Sequence, residues 1–147
     1  MIVKLEHRPP QNDIEVLITY PERNKTVEKI VALVKSVGTQ IECYLEDSVK
    51  KINISDIYYI ESVDKTGVVF CESESYRTRF RLHQLVENLS STGFVQISKY
   101  CIMNINKLDR IKPLFNSRME AILSNGSHLC ITRKYLAGIK QKLEENE

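Results

Sequence analysis

The side chains of this sequence best placed to do chemistry are basic residues beside turn signals. Lys65 lies within Asp64-Lys65-Thr66-Gly67, a turn signal between two apolar runs. Lys99 stands between the apolar stretches around Ile97 and Ile102, and Arg133-Lys134 follow Ile131-Thr132 directly. Long cations rooted at strand ends can reach phosphate oxygens and base edges while a sheet holds their backbones still. The charge distribution supports the same chemistry. Residues 1–54 are neutral and residues 55–75 carry net −4. Residues 76–143 hold twelve Lys/Arg against Glu87, Asp109 and Glu120, net +9, and residues 144–147 carry net −3. The whole chain is only +2, so the asymmetry is what matters. A stretch of this charge attracts a polyanion, of which nucleic acid is the commonest.

Other chemistries find no support. The five scattered glycines build neither a dinucleotide loop nor a P-loop. No GxSxG occurs, and His7, His83 and His128 have no motif partner for a nucleophilic triad. Cys43, Cys71, Cys101 and Cys130 lie about thirty residues apart without a CxxC, so a zinc site is not expected, and the four read as buried, reduced thiols. No metal and no cofactor is expected, and no enzyme activity. The longest apolar run, Ile30–Val34, is five residues, far short of the roughly 20 a membrane span requires. The N-terminus lacks a basic head followed by an apolar stretch, so a cytoplasmic location is expected.

The elements that must position these side chains are short. Residues 1–7 and Ile14–Tyr20 alternate as strands, separated by Pro9-Pro10. Val27, Ile30, Val31, Val34 and Val37 form one helical stripe, with Asn24 or Thr26 as its N-cap and Gly38 beyond its end. Ile41, Cys43 and Leu45 alternate again, so residues 1–46 read as a β-β-α-β or β-α-β segment. After it come short strands, a helix over Leu82–Leu89, a hairpin over Met119–Ile131 with Asn125-Gly126 at its turn, and a short closing helix with an acidic end. The fold class expected is mainly β, with this segment preceding a domain of residues 47–147.

The stretch from Ile52 to Leu143 resembles the LytTR DNA-binding domain of bacterial transcription regulators. Ile57-Tyr58-Tyr59-Ile60-Glu61 is similar to the family's I-x-x-I-E opening. Arg77–Leu89 is similar to its strand and leucine-patterned helix, and Phe94–Asn104 to its F-x-R-(I/C)-(H/S)-(R/K/N)-S-x-I-V-N stretch. Asn125-Gly126 and Ile131-Thr132-Arg133-Lys134-Tyr135 are similar to its closing motif. The resemblance implies about ten short strands with a helix, and contact with double-stranded DNA through three loops set into successive major grooves. It implies base-edge contacts from Lys65, Thr66, Lys99 and Arg133. Phosphate contacts are expected from Tyr100, Lys107, Arg110, Lys134 and Tyr135. Three departures stand out: Gly67 where a relative can carry a base-reading histidine, Gln96 where arginine is common, and Tyr100 where serine is common. Thr132 replaces serine and keeps the hydroxyl.

Residues 1–46 do not resemble a phospho-acceptor receiver domain. The stand-alone type of regulator that this implies is often encoded beside a small membrane protein that inhibits it, so such a partner is implied, together with a homodimer on paired sites. The first 46 residues are then a dimerisation element, an inhibitor-docking element, or a cap on the core. Two further classes stay open beside the DNA-binding regulator: a protein-interaction module bound to a membrane partner, and a small ligand sensor or enzyme.

Overall fold

The computed structural model describes residues 1–145. The acidic side chains expected at residues 144–147 lie outside the described side chains. Helix α1 spans Lys25–Val37, capped by Asn24, whose side-chain oxygen accepts the Val27 N–H at 3.0 Å. Gly38 follows it in a right-handed conformation (φ −88°), so this helix end does not use glycine's left-handed freedom. Strands β1 (Gln40–Leu45) and β2 (Ser48–Asn53) form a hairpin. Next come β3 (Tyr59–Val63), β4 (Thr66–Phe70) and β5 (Ser75–Thr78). Helix α2 (Leu82–Leu89) is capped by the Gln84 side chain, which accepts the Arg81 N–H at 2.9 Å. Strands β6 (Phe94–Ser98), β7 (Cys101–Asn104), β8 (Leu108–Pro113), β9 (Met119–Leu123) and β10 (His128–Ile131) precede α3 (Leu136–Glu145).

The ten strands make two antiparallel sheets. One has seven strands in the order β2-β1-β5-β4-β3-β7-β6, and the other has three in the order β10-β9-β8. Strand β7 ties them together because both of its faces are buried. Ile102 faces a core with Ile54, Ile57, Ile60, Leu85 and Phe94, beneath α2. Cys101 and Met103 face a second core with Tyr58, Ile97, Leu123, Ile131 and Ile139, beneath the small sheet and α3. A strand covered on both sides loses its polar alternation, which is why Cys101–Met103 reads as a solid apolar run. Asn104 ends that run and is 2% exposed. Its amide donates to the Ile57 carbonyl at 2.9 Å, and its side-chain oxygen accepts the Asn106 N–H at 3.0 Å.

The first 46 residues depart from the β-α-β expectation. Residues 1–7 and 14–20 form no strand, and Leu5, Ile14 and Leu17 are exposed at 95%, 89% and 82%. Alternation marks out an apolar face but supplies no ladder partner, and a strand exists only when paired. The segment is therefore an extended arm, α1 and β1. Strand β1 belongs to the large sheet, with Ile41 and Cys43 in its core and Tyr44 opposite Arg77 of β5. The expected division between residues 46 and 47 falls in the turn of the β1–β2 hairpin. The helical stripe is half covered: Val27 is buried, whereas Val34 and Val37 are exposed.

The cysteines also need correcting. Cys43 and Cys101 are buried, but Cys71 is only partly buried and Cys130 is exposed. On β10, Leu129 and Ile131 turn inward, so His128 and Cys130 share the outer face, where His128 Nδ1 lies 2.9 Å from Glu120 Oε1.

Candidate nucleic-acid interface

The register of the large sheet brings two of the three expected loops to one end, and a hydrogen bond from the small sheet brings the third beside them. Strands β3 and β4 are joined by Asp64-Lys65, with Val63 opposite Thr66. Both turn residues have positive φ, 50° and 66°, the left-handed geometry of the tight hairpin turn whose twist matches that of the strands. Strands β6 and β7 are joined by Lys99-Tyr100, with Ser98 opposite Cys101. Glu61 of β3 lies opposite Cys101 of β7, so these two turns emerge side by side. The Ser62 N–H donates to the Tyr100 carbonyl at 2.7 Å and fastens them together. The third loop is fastened to the second from its other side. As β10 ends, the Thr132 N–H donates to the Ile97 carbonyl at 2.9 Å, and Arg133–Tyr135 form one 3-10 turn. Ile131, fully buried, anchors that corner.

Lys65, Thr66, Lys99, Tyr100, Arg133, Lys134 and Tyr135 thus occupy a single edge of the molecule. Lys65, Lys99, Arg133 and Lys134 are exposed, and none forms a salt bridge among the described residues. Lys99 Nζ lies 5.4 Å from the centroid of the Tyr100 ring, and Lys134 Nζ 5.6 Å from that of Tyr135. The rings restrain these cations without neutralising them. Two expected phosphate contacts are placed elsewhere. Lys107 follows the opposite end of β7 and sits over the Tyr58 ring, and Arg110 lies opposite Ile122 within the small sheet. The fold does not bring these two to the edge that holds the other seven.

Three arginines join that edge without having been singled out in the sequence. Gly67 of β4 lies opposite Thr78, the last residue of β5, so Arg79 and Arg81 leave the sheet at the same end. Their signal was Arg77-x-Arg79-x-Arg81 alternating with buried Tyr76 and Thr78, a basic outer face on a strand. Arg118 lies in the β8–β9 turn, beside Met119, which is opposite Ile131. The other end of the large sheet carries acids: Glu46 and Asp47 in the β1–β2 turn, and Glu72 and Glu74 between β4 and β5. The Asn125 amide, in the β9–β10 turn, donates to the Glu72 carbonyl at 3.0 Å at that far end. The charge asymmetry along the chain is therefore also an asymmetry in space, although Asp64 lies in one of the basic turns and Glu61 close to another.

Gly67 is required for packing. A Cβ there would lie 2.7 Å from Thr78 Cγ2 and 3.1 Å from the Phe80 carbonyl oxygen. Thr78 cannot swing aside freely, because it is 4% exposed and its hydroxyl bonds the Glu42 carbonyl. Gly67→Ala is expected to lower unfolding free energy by roughly 1–3 kcal/mol, read as a lower urea midpoint at unchanged slope. A midpoint within error of wild type would show that the β4–β5 contact yields easily.

Burial first, and then Glu61, pushes the Cys101 thiol up to about 12, so it stays protonated beneath the β6–β7 turn. Among the described residues, no group of three or more His, Cys, Asp or Glu gathers as a metal site, and no helix is long and apolar enough to cross a membrane.

Comparisons with known proteins bear on the family and the fold. The family model for the LytTr DNA-binding domain matches residues 47–144. The sensory transduction protein LytT of Enterococcus faecalis is 29% identical over 98 residues, covering 67% of this chain and 40% of the relative. LytT of Bacillus cereus is 27% identical over 135 residues, covering 88% of this chain and 55% of the relative. The chain thus spans about half the length of these curated relatives. An uncharacterized HTH-type transcriptional regulator of Staphylococcus aureus is 23% identical over 125 residues, 84% of each chain. In the present fold five strands separate α2 from α3, so these helices do not form a helix-turn-helix. A solved LytTr DNA-binding domain from Bacillus cereus superposes with a TM-score of 0.68 at 20% identity, covering 71% of this chain and 96% of that one. With the family model covering residues 47–144, and a mainly β fold shared with a solved member, this chain belongs to the LytTR DNA-binding domain family.

Proposed function

We propose that the protein is a sequence-specific, DNA-binding transcriptional regulator that grips duplex DNA with the basic end of its large sheet. The observation that carries this reading is the hydrogen-bonded row of three turns, Lys65 to Tyr100 to Arg133, at the end of the sheet opposite Glu46, Asp47, Glu72 and Glu74. A field of this polarity orients the molecule before contact, and released counterions supply affinity. Arg133 and Lys99 read base edges in the major groove, guanine O6 and N7 being the best match to a cationic donor. Lys65 and Thr66 extend the reading at the β3–β4 turn. Tyr100, Lys134 and Tyr135 hold phosphates, together with Arg79 and Arg81. The protein acts as a homodimer on paired sites. The test is an anisotropy titration with a duplex from upstream of the protein's own gene, against a random duplex, over a salt series. Tighter binding to the upstream duplex is expected, with affinity falling steeply as salt rises. Equal affinity for both duplexes contradicts sequence reading.

Neighbouring cations have different roles in this account, and their variants separate them. Lys134→Ala should weaken upstream and random duplexes alike and make the salt slope shallower by about one unit. Lys99→Ala should weaken the upstream duplex more than the random one. A change of base preference in Lys134→Ala would mean that the two roles are assigned to the wrong residues.

A further inference from the structure

We infer that residues 14–20 are a dimerisation strand, formed when this segment pairs antiparallel with the same segment of a second copy. Within one copy the arm has nothing to pair with. Residues 1–7 and 14–20 make no backbone–backbone hydrogen bond among the described residues. Met1, Ile2, Val3, Leu5, Ile14, Val16, Leu17 and Tyr20 are all exposed. An extended, unpaired, apolar strand is a template for another chain.

Self-complementarity identifies the occupant as a second copy. Centred on Leu17, an antiparallel pair opposes Ile14 to Tyr20, Glu15 to Thr19, Val16 to Ile18 and Leu17 to itself. Every apolar residue then meets an apolar residue, and the one acid meets a hydroxyl. Ile14, Val16, Ile18 and Tyr20 share one face of the resulting ribbon. A parallel pair in register would set Glu15 against Glu15, and a slip of one residue would turn the apolar face outward. Pairing of a segment with itself about a two-fold axis is the form an isologous interface takes.

The arm leads directly into α1, whose exposed Leu33, Val34 and Val37 lack a cover. The apolar face of a paired ribbon covers the α1 stripes of both copies. Fourteen strand residues giving up about half their surface, together with two helix faces, reach the order of the roughly 800 Å² per partner that stable interfaces bury. A fixed dimer also presents two basic ends at a set separation. That consequence, though not the pairing itself, rests on the DNA-binding reading.

Charge-swap variants at Leu17 test the pairing, because this side chain is 82% exposed in one copy and its replacement leaves the cores intact. In sedimentation experiments on the full chain the wild type is expected to be a dimer. Leu17→Glu and Leu17→Lys alone should each self-associate about tenfold or more weakly, since like charges meet on the axis. An equal mixture should recover the dimer, because Glu then faces Lys. A single half-site should bind each variant within about twofold of wild type, while paired sites lose about tenfold or more in avidity. The inference is overturned by a wild type monomeric both on and off DNA, by variants that dimerise as tightly as wild type, or by a mixture no better than its components. Loss of half-site binding by the wild type with the dimer intact would overturn the DNA-binding reading and leave the pairing standing.

Discussion

Replacing Arg133 by alanine is expected to remove about 1–3 kcal/mol of binding free energy at the cognate site, roughly a 5- to 150-fold loss, and to relax preference at one base pair. The size follows from how the residue is held. Its backbone sits one residue beyond Thr132, which is bonded to Ile97 at 2.9 Å, and two beyond Ile131, which is fully buried. A guanidinium rooted on such a corner gives up little backbone freedom on binding, so most of its contact energy appears as affinity. Among the described residues it has no carboxylate partner to leave behind. Removing it costs the fold nothing comparable, because the side chain is exposed. The variant should therefore unfold at the wild-type denaturant midpoint while losing most of its preference for operator over random duplex. An unchanged ratio of the two affinities would remove Arg133 from the reading of bases.

The second large effect is on stability. Asn104→Leu keeps the approximate volume but leaves the Ile57 carbonyl and the Asn106 N–H without the side-chain partners they have at 2.9 and 3.0 Å. A stranded buried group costs about 1–3 kcal/mol, and because the Ile57 carbonyl is buried while the Asn106 N–H is half-buried, a loss of roughly 2–4 kcal/mol is expected. That is a large fraction of the stability of an ordinary domain. Asn104 joins the end of β7 to the chain entering β3, the two strands whose pairing sets the turns at Ser62 and Tyr100 beside each other. Urea unfolding measures the loss. DNA affinity, corrected to the folded fraction, should stay within about twofold of wild type. A variant as stable as wild type would show that water satisfies the two groups.

The basic turns were legible in the sequence because each combines two local signals, a cation and a strand boundary. Asn125-Gly126 marked one hairpin, and Gly126 adopts the expected positive φ of 88°. At Asp64-Lys65-Thr66-Gly67 the turn itself takes only the two non-glycine residues, and Gly67 serves packing within β4 instead. Arg79, Arg81 and Arg118 were missed because their place at the basic edge depends on which strands are neighbours. Strand β5 stands beside β4 and β1, an order that no local pattern encodes. Lys107, expected among the phosphate contacts, is set apart from Lys99 because β7 carries the chain to the other end of the sheet between them. Residues 1–20 differ from the expected strands for a related reason. Their alternation is present, but among the described residues neither 1–7 nor 14–20 has a strand to pair with.

Backbone amide shift changes during titration with duplex DNA test the central claim most directly. If the basic end of the sheet is the interface, amides of residues 62–67, 97–101 and 131–136 shift together, and those of 79–81 with them. The turns at 46–47, 72–75 and 125–127 stay where they are. Shifts centred on those far turns, or on α1, with the three basic turns silent, would contradict the account.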